Sequence, residues 1–599
     1  MKNLFLTSAV CAALHSATAN AEDKIPEIVV SAKNNQSIDQ LINSAIIFDL
    51  EDIEATQADD IPALLDAVAG VNFTDSGGRG SATSVFVRGV ANSQIIVLID
   101  GVRVGSATLG AAALNSYPIE AIDRVEIIKG PYSGIYGADA VGGVIQLFTK
   151  KSAEGIGSVS VTIGDDSLQE LSLALHTSGE NYSVHVAAQT EETDGIDRTS
   201  IVTDGNDDID GFEEDAFSLG AEVNFSDNTK ASLNILSSDN TVEFDNTFGS
   251  DPGLMTENET FSSAINVSHN FSDSLRWSTT LGINEDESET NGAFPSVFIT
   301  DRNSIGTELG LSISSKSSLT LGLDYYEEDI ESSNDFPITD RDNSGAFAQF
   351  SHHSDIFSVI GSLRFDDNSA YGSDTNVALA GAVDLSETLR LSASYGTAFV
   401  APSFNFLFFP FFGNPDLVPE ESESFELSLD GSSGGFDWRV SAYRTDIDNL
   451  FSFDPETFLA ENIGEAEIEG IEFSLTKTWA DWAFSFNADF LSATDLDSGI
   501  ELDGRPEQTL RLIASRDWGN YSIRFDVKNE SDRFDNSGTQ LASYTLFDVG
   551  ATYSFSETVK LSANIDNLFD EDFTLNLIGV SDRFNTEGRQ AKVSLRVNF

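Results

Sequence analysis

The side chains with the most scope for chemistry in this 599-residue chain are carboxylates, 98 of them against 32 lysines and arginines. They crowd most densely from Asp204 to Asp215, in the run DGNDDIDGFEED. Such oxygens suit a hard cation such as calcium, which takes six to eight oxygen ligands. An EF-hand is nevertheless excluded, because Ile209 stands where that loop needs glycine and the flanks read as strands rather than helices. Other chemistries find little support. Of six histidines, one, His15, falls in the leading segment and none sits in a catalytic motif, so a hydrolase has no acid/base pair to work with. His352 and His353 are adjacent in a strand-like run and project to opposite faces, which prevents chelation. The single cysteine, Cys11, also lies in the leading segment, so the mature chain has neither a disulfide framework nor a zinc-thiolate site. A net charge of −66 repels phosphate backbones and excludes nucleic-acid binding. It suits loops and a lumen bathed in salty water.

The elements that must position these groups begin with an export signal: Lys2, an apolar stretch from Leu4 to Leu14, and a small-residue cleavage site at Ala19-Asn20-Ala21. The segment is too short to span a bilayer as a helix. Two regimes follow, changing near Thr149-Lys150-Lys151. In the first, DDIPALLDAVAG from Asp59 predicts a short amphipathic helix with Ile61, Leu64, Leu65 and Val68 on one face, Asp59 or Asp60 as cap and Gly70 as stop. Strands are predicted at Ser84 to Val87 and at Ile95 to Ile99, the latter ended by the turn dipeptide Asp100-Gly101.

In the second regime apolar residues alternate with small or polar ones, as at Val159, Val161 and Ile163, at Leu171, Leu173 and Leu175, and at Phe217, Leu219, Ala221, Val223 and Phe225. The pattern recurs at Leu319, Leu321, Leu323 and Tyr325, and persists to Phe599. Alternation over roughly 450 residues, with no second class of element, needs one face that is apolar throughout. Four similar tetrads, starting at Phe225, Phe271, Leu385 and Phe555, sit between alternating runs and read as short hairpin turns on one rim. Polar stretches such as Asp204 to Asp215 and Asn240 to Glu259 read as long loops on the other. Tight turns on one side and long loops on the other describe an outer-membrane barrel.

Several motifs carry a resemblance to a known family. They are Glu27-Ile28-Val29-Val30-Ser31-Ala32, Val87-Arg88-Gly89, VLIDGVR from Val97, VEIIKGP from Val125 and YGADAVGGVI from Tyr136. A barrel segment, YGTAFVAP from Tyr395 with Gly413-Asn414-Pro415, adds to them. Across nearly the whole mature chain these resemble the TonB-dependent outer-membrane receptors. The resemblance implies a transmembrane β-barrel of about 22 antiparallel strands with an N-terminal α+β plug in its lumen. The implied parts are a signal peptide (1–21), a TonB box and linker (22–35), the plug (36–150) and the barrel (151–599). It implies a transporter rather than an enzyme, monomeric, seated in outer-membrane lipid and lipopolysaccharide of a Gram-negative cell. TonB would pair with Glu27, Ile28, Val29, Val30, Ser31 and Ala32, an extended β-branched segment suited to strand addition.

The same resemblance implies a charged cluster of Arg88, Arg103, Arg124 and Glu126 between plug and wall. Within the family the likeness runs to the cobalamin receptors. A corrinoid would meet Ser76, Gly77, Gly78, Arg79, Gly80 and Ser81 at the plug apex and Ala91, Asn92 and Ser93 in a second loop, where small residues permit close approach. Calcium would order the outer loops through Asp197, Asp208, Asp210, Asp239 and Asp245. A ferric-siderophore or haem receptor is the alternative of the same fold, though the plug and the loop Ser403 to Phe412 lack the histidines that haem receptors tend to carry. A passive porin or adhesin needs no plug and no coupling box.

Overall fold

Strands whose side chains alternate between two solvents satisfy their backbone groups only by pairing, and in lipid the pairing must close. In the computed structural model it does. The described residues are 28–29, 33, 36–37 and 42–599, apart from 152–154, 203–207, 247–252, 293–294, 454–456, 458, 536–537 and 580–581. The signal peptide lies outside them, as do Glu27, Val30, Ser31 and Ala32 of the coupling segment. A closed barrel of 22 strands runs from Gly157–Gly164 to Gln590–Asn598. Those two strands pair antiparallel, with Val161 opposite Leu595, so the sheet has no edge. The two rows of each strand differ as the alternation predicts: Leu321 and Leu323 are 45% and 61% exposed on the outside, while Thr320 and Gly322 of the alternate row are buried.

Each of the four turn tetrads closes a hairpin, and each does so by the same local bond. The serine hydroxyl accepts from the backbone N–H two residues on, at 3.3 Å in Ser226, Ser272, Ser386 and Ser556. Such side-chain turns compete with continued pairing, and the register slips at each of them. The opposite rim differs from expectation, because strands Asp210–Ser226, Thr229–Phe244 and Leu254–Ser272 take up much of the polar stretches read as loops. There both faces of the sheet meet water, so no apolar alternation marks the strand.

The lumen holds a five-stranded sheet in the order Ala45–Phe48, Ile122–Lys129, Gly143–Thr149, Ile95–Ile99, Val102–Arg103. Asp100 and Gly101, at φ of 50° and 92°, make the two-residue turn that pairs Ile99 with Val102. Helix α1 (Leu50–Thr56) is capped by a reciprocal bond pair between Asp49 and Asp52. It has one buried side chain, Ile53, and so carries no apolar stripe to announce it. Helix α2 (Ile61–Asp66) is the amphipathic helix read from the sequence: Asp60 accepts from Ala63 N at 2.7 Å, and Ile61, Leu64 and Leu65 are fully buried in the plug core. Burying three such side chains contributes on the order of 5–8 kcal/mol before entropy is counted.

Candidate functional site

The plug apex is the hairpin between strands Val71–Asp75 and Thr83–Val87. Its loop needs glycine: Gly77, Gly78 and Gly80 have φ of 96°, 72° and 73°. A Cβ at Gly77 would lie 2.7 Å from the Arg198 carbonyl oxygen, and one at Gly80 would strike the Phe212 ring. The apex is therefore pressed against the barrel wall, and the residue that holds it there is Arg198, which sequence reasoning did not single out. The Arg198 guanidinium donates to the Gly77 carbonyl at 2.6 Å and to the Arg79 carbonyl at 2.8 Å. Arg79 itself pairs with Glu191 of the wall and with Asp59 of the plug, and its backbone N–H donates to Glu587 at 3.0 Å. Ser76 and Ser81 complete the loop, with the Ser76 N–H donating to the Ala82 carbonyl and the Ser81 N–H to Gly78.

The predicted second loop forms a single 3-10 turn, Asn92–Gln94, with Ala91, Asn92 and Ser93 half-buried. Gln94, the last residue of the turn, is buried and donates to Glu420 of the wall at 2.5 Å.

Arg198 also ties the apex to the acidic loops. Its backbone N–H donates to Asp210 at 3.1 Å. Asp208, Asp210 and Asp245 each bring a carboxylate oxygen within 4.8 Å of the others. Asp245 accepts from the Thr199 hydroxyl at 2.7 Å through one oxygen, while its other oxygen is buried with no hydrogen-bond partner among the described residues. Burial pushes the Asp245 carboxyl up from its usual range, and Asp208 beside it adds to the shift. Asp197 lies at the edge of this group and accepts from the Thr199 N–H at 3.2 Å. Asp239 is elsewhere. It stands on the outward row of its strand, paired with Asp215 and Glu259, and faces away from the other four aspartates. The three gathered carboxylates, one with an orphaned buried oxygen, form an all-oxygen donor set that fits a hard divalent cation and would leave a thiophilic one poorly served.

The four residues read as a plug-to-wall cluster separate into three pairings. Arg88 grips the wall in a two-sided clamp, donating to Glu426 at 3.0 and 3.1 Å and to Glu472 at 3.0 and 2.9 Å, with all three side chains buried. Lys129 joins at Glu472, 2.8 Å away. Arg103 pairs with Asp139, and Arg124 donates to Glu126 at 2.8 Å, both within the plug. The wall carboxylates Glu426 and Glu472 had no signal in the sequence beyond being inward-facing charges. A second zone of contact has the opposite polarity: plug Asp66 meets Arg511 at 2.9 Å and Lys528 at 2.7 Å. Of the coupling segment, Ile28–Val29 pairs antiparallel with Gln36–Ser37, which is extended backbone of the kind that strand addition uses.

Comparisons with known proteins agree with this geometry. The TonB dependent receptor-like β-barrel family matches residues 162–568, and the TonB-dependent receptor plug domain matches 37–144. The vitamin B12 transporter BtuB of Photobacterium profundum is 29% identical over 588 residues, covering 96% of each chain. That of Vibrio cholerae is 30% identical over 579 residues, covering 94% of each. Among solved structures, the siderophore receptor PirA of Acinetobacter baumannii superposes with a TM-score of 0.80 at 18% identity, covering 93% of this chain and 98% of that one. A ferric enterobactin receptor, PfeA, of Pseudomonas aeruginosa gives 0.79 at 20% identity, covering 93% and 99%. At such identities the likeness is one of fold.

Proposed function

The chain belongs to the TonB-dependent receptors of the outer membrane, and from that premise we propose that it carries cobalamin or a related corrinoid into the periplasm by active transport. TonB supplies the pull and a small molecule is the cargo. The observation that supports the corrinoid is the end-to-end match, at about 30% identity, to relatives named as vitamin B12 transporters. The siderophore receptors share the fold at 18–20% identity only.

In this reading the ligand settles on the apex loop Ser76 to Ser81, whose glycines and carbonyls are held in place by Arg198, with Ala91 to Ser93 as a second contact. Asp208, Asp210 and Asp245 would hold calcium, with Asp197 adjacent. The ion would supply positive charge among carboxylates that otherwise repel one another. The chain's own part is to hold the apex rigid before the ligand arrives, which lowers the entropy that binding must overcome. TonB then adds a strand at the segment around Ile28 and Val29 and draws the plug. The Arg88 clamp holds the plug at rest. The receptor works as a monomer among outer-membrane lipid and lipopolysaccharide.

Titration of cyanocobalamin into the purified receptor, with calcium and with a chelator, tests the reading. Saturable binding that tightens with calcium is expected. Absence of binding in both conditions, with a ferric siderophore binding instead, overturns it.

A further inference from the structure

Four of the chain's five tryptophans stand on one sector of the barrel. Trp438, Trp479, Trp482 and Trp518 lie at or beside the tight turns of four neighbouring strands, Phe436–Asp448, Glu465–Trp479, Trp482–Asp495 and Gln508–Asp517. An aromatic girdle alone would spread such residues around the circumference. Two cations share the sector's outward face. Lys477 is in register with Phe436 and Phe484, its ammonium 3.7 Å from the Phe436 ring centroid, and it donates to the Gly434 carbonyl at 2.7 Å. Arg516 is in register with Trp482, lies 4.7 Å from the Trp518 ring, and reaches Asp481 only at 3.4 Å. Its Nε is buried with no hydrogen-bond partner among the described residues. Beside Lys477 runs an apolar groove of about 480 Å³, walled by Phe436 and Trp479 and floored by Leu475, Phe484, Phe486 and Leu512.

Charge sets this sector apart. Away from the tight turns, the outward rows carry carboxylates opposite one another, Asp215, Asp239, Glu259 and Glu287, and repel anionic headgroups. Tight turns mark the periplasmic rim of such barrels. We propose that this sector binds an anionic glycerophospholipid of the periplasmic leaflet, its phosphate held by Lys477 and Arg516 and an acyl chain lying in the groove. The tryptophan rings fix the depth at which the headgroup sits. In a chain of net charge −66, two cations facing lipid are costly unless an anion meets them.

The tryptophans themselves report on the site. The full receptor is placed in phosphatidylcholine nanodiscs doped with either brominated phosphatidylglycerol or brominated phosphatidylcholine of the same acyl length, and its fluorescence quenching is compared. Preferential quenching by the anionic lipid is expected, strengthened about fivefold per charge engaged. Lys477→Gln with Arg516→Gln should abolish the preference while leaving the heat-modifiable mobility of the folded barrel unchanged. The conservative Lys477→Arg variant should retain it. Equal quenching by the two lipids in the unsubstituted receptor overturns the proposal. So does efficient copy-to-copy cross-linking of a Trp479→Cys variant in anionic bilayers, which would make a second copy the occupant.

Discussion

Arg198 holds Gly77 and Asp210 at once: its guanidinium donates to the apex carbonyl at 2.6 Å and its own N–H donates to the loop carboxylate at 3.1 Å. Ligand loop and acidic cluster thus share one residue, and a change in either reaches the other through two hydrogen bonds. Arg198→Ala should leave the Gly77 and Arg79 carbonyls buried and unsatisfied, at about 1–3 kcal/mol each. Cyanocobalamin affinity is expected to fall at least tenfold and to lose most of its response to calcium. Unchanged affinity in an equilibrium titration would mean that the apex needs no anchor.

Gly77 sets up a paired test. Alanine there meets both a positive φ of 96° and the Arg198 carbonyl at 2.7 Å, whereas Gly253, at φ 89°, has no described residue within 4 Å of its Cβ position. Gly77→Ala should therefore weaken binding severalfold through displacement of the apex, and Gly253→Ala should show only the backbone cost, about 1 kcal/mol. Equal behaviour of the two variants would remove steric contact from the account.

The Arg88 clamp governs plug retention. Glu472→Gln takes one charge from a buried set in which Arg88 and Lys129 both rely on it, and removing one partner of such a pair costs about 3–5 kcal/mol. Urea release of the plug, followed by proteolysis at lumen sites, should move to lower concentration while the barrel keeps its heat-modifiable mobility. Plug release at the unsubstituted concentration would show that the clamp carries no net stability.

Much of this architecture was legible from the chain alone. Leu319, Leu321 and Leu323 alternating with Thr320 and Gly322 dictate an outward row, the serine tetrads dictate turns, and Asp60 ahead of Ile61 dictates a capped helix. The plug-to-wall partners were not legible. Inward-facing residues of the wall are polar without period, and nothing local tells which inward glutamate stands opposite Arg88; that depends on how far each strand is sheared along its neighbour. Arg198 was hidden for the same reason, lying between strands in an irregular segment. Asp239 was readable in principle. It shares its parity with Leu233 and Ile235, whose row faces lipid, so it had to leave the carboxylate cluster by simple counting along one strand.

Acidity should act on α2 in a defined window. Burial pushes the Asp60 carboxyl up to about 6, with its bond from Ala63 N opposing the shift. The folded chain therefore takes up this proton before the unfolded chain does. Its contribution to stability rises as pH falls from about 6 towards the ordinary carboxylate value of about 4, and is level below that. Asp59 next to it behaves oppositely: although burial raises it, Lys592 and Arg79 outweigh burial and hold it at about 2, so its contribution is lost only below the same window. Hydrogen exchange of the Ala63 and Leu64 amides, corrected for intrinsic rate, should slow between pH 6.5 and 4.5. Asp60→Asn keeps a cap and removes the proton, so the slope should vanish; a slope that survives assigns it to other groups.

The acidic loops give the sharpest contrast between two residues of one chain segment. Asp245 contributes a buried, unpartnered oxygen to the group with Asp208 and Asp210, whereas Asp239, six residues earlier, faces outward between Asp215 and Glu259. If calcium binds there, Asp245→Asn removes a ligand charge, and the calcium concentration that half-maximally tightens cyanocobalamin binding should rise by at least tenfold. Asp239→Asn changes the formal charge by the same amount at the same depth in the sequence, yet it should leave that concentration within twofold, because only diffuse and screened electrostatics connect the two places. Titrations of both variants against calcium, read by the same binding signal, separate a coordinated ion from general neutralisation of a very acidic protein. Equal shifts in the two variants would show that net charge alone is responsible and that no ion is held by the group around Asp245.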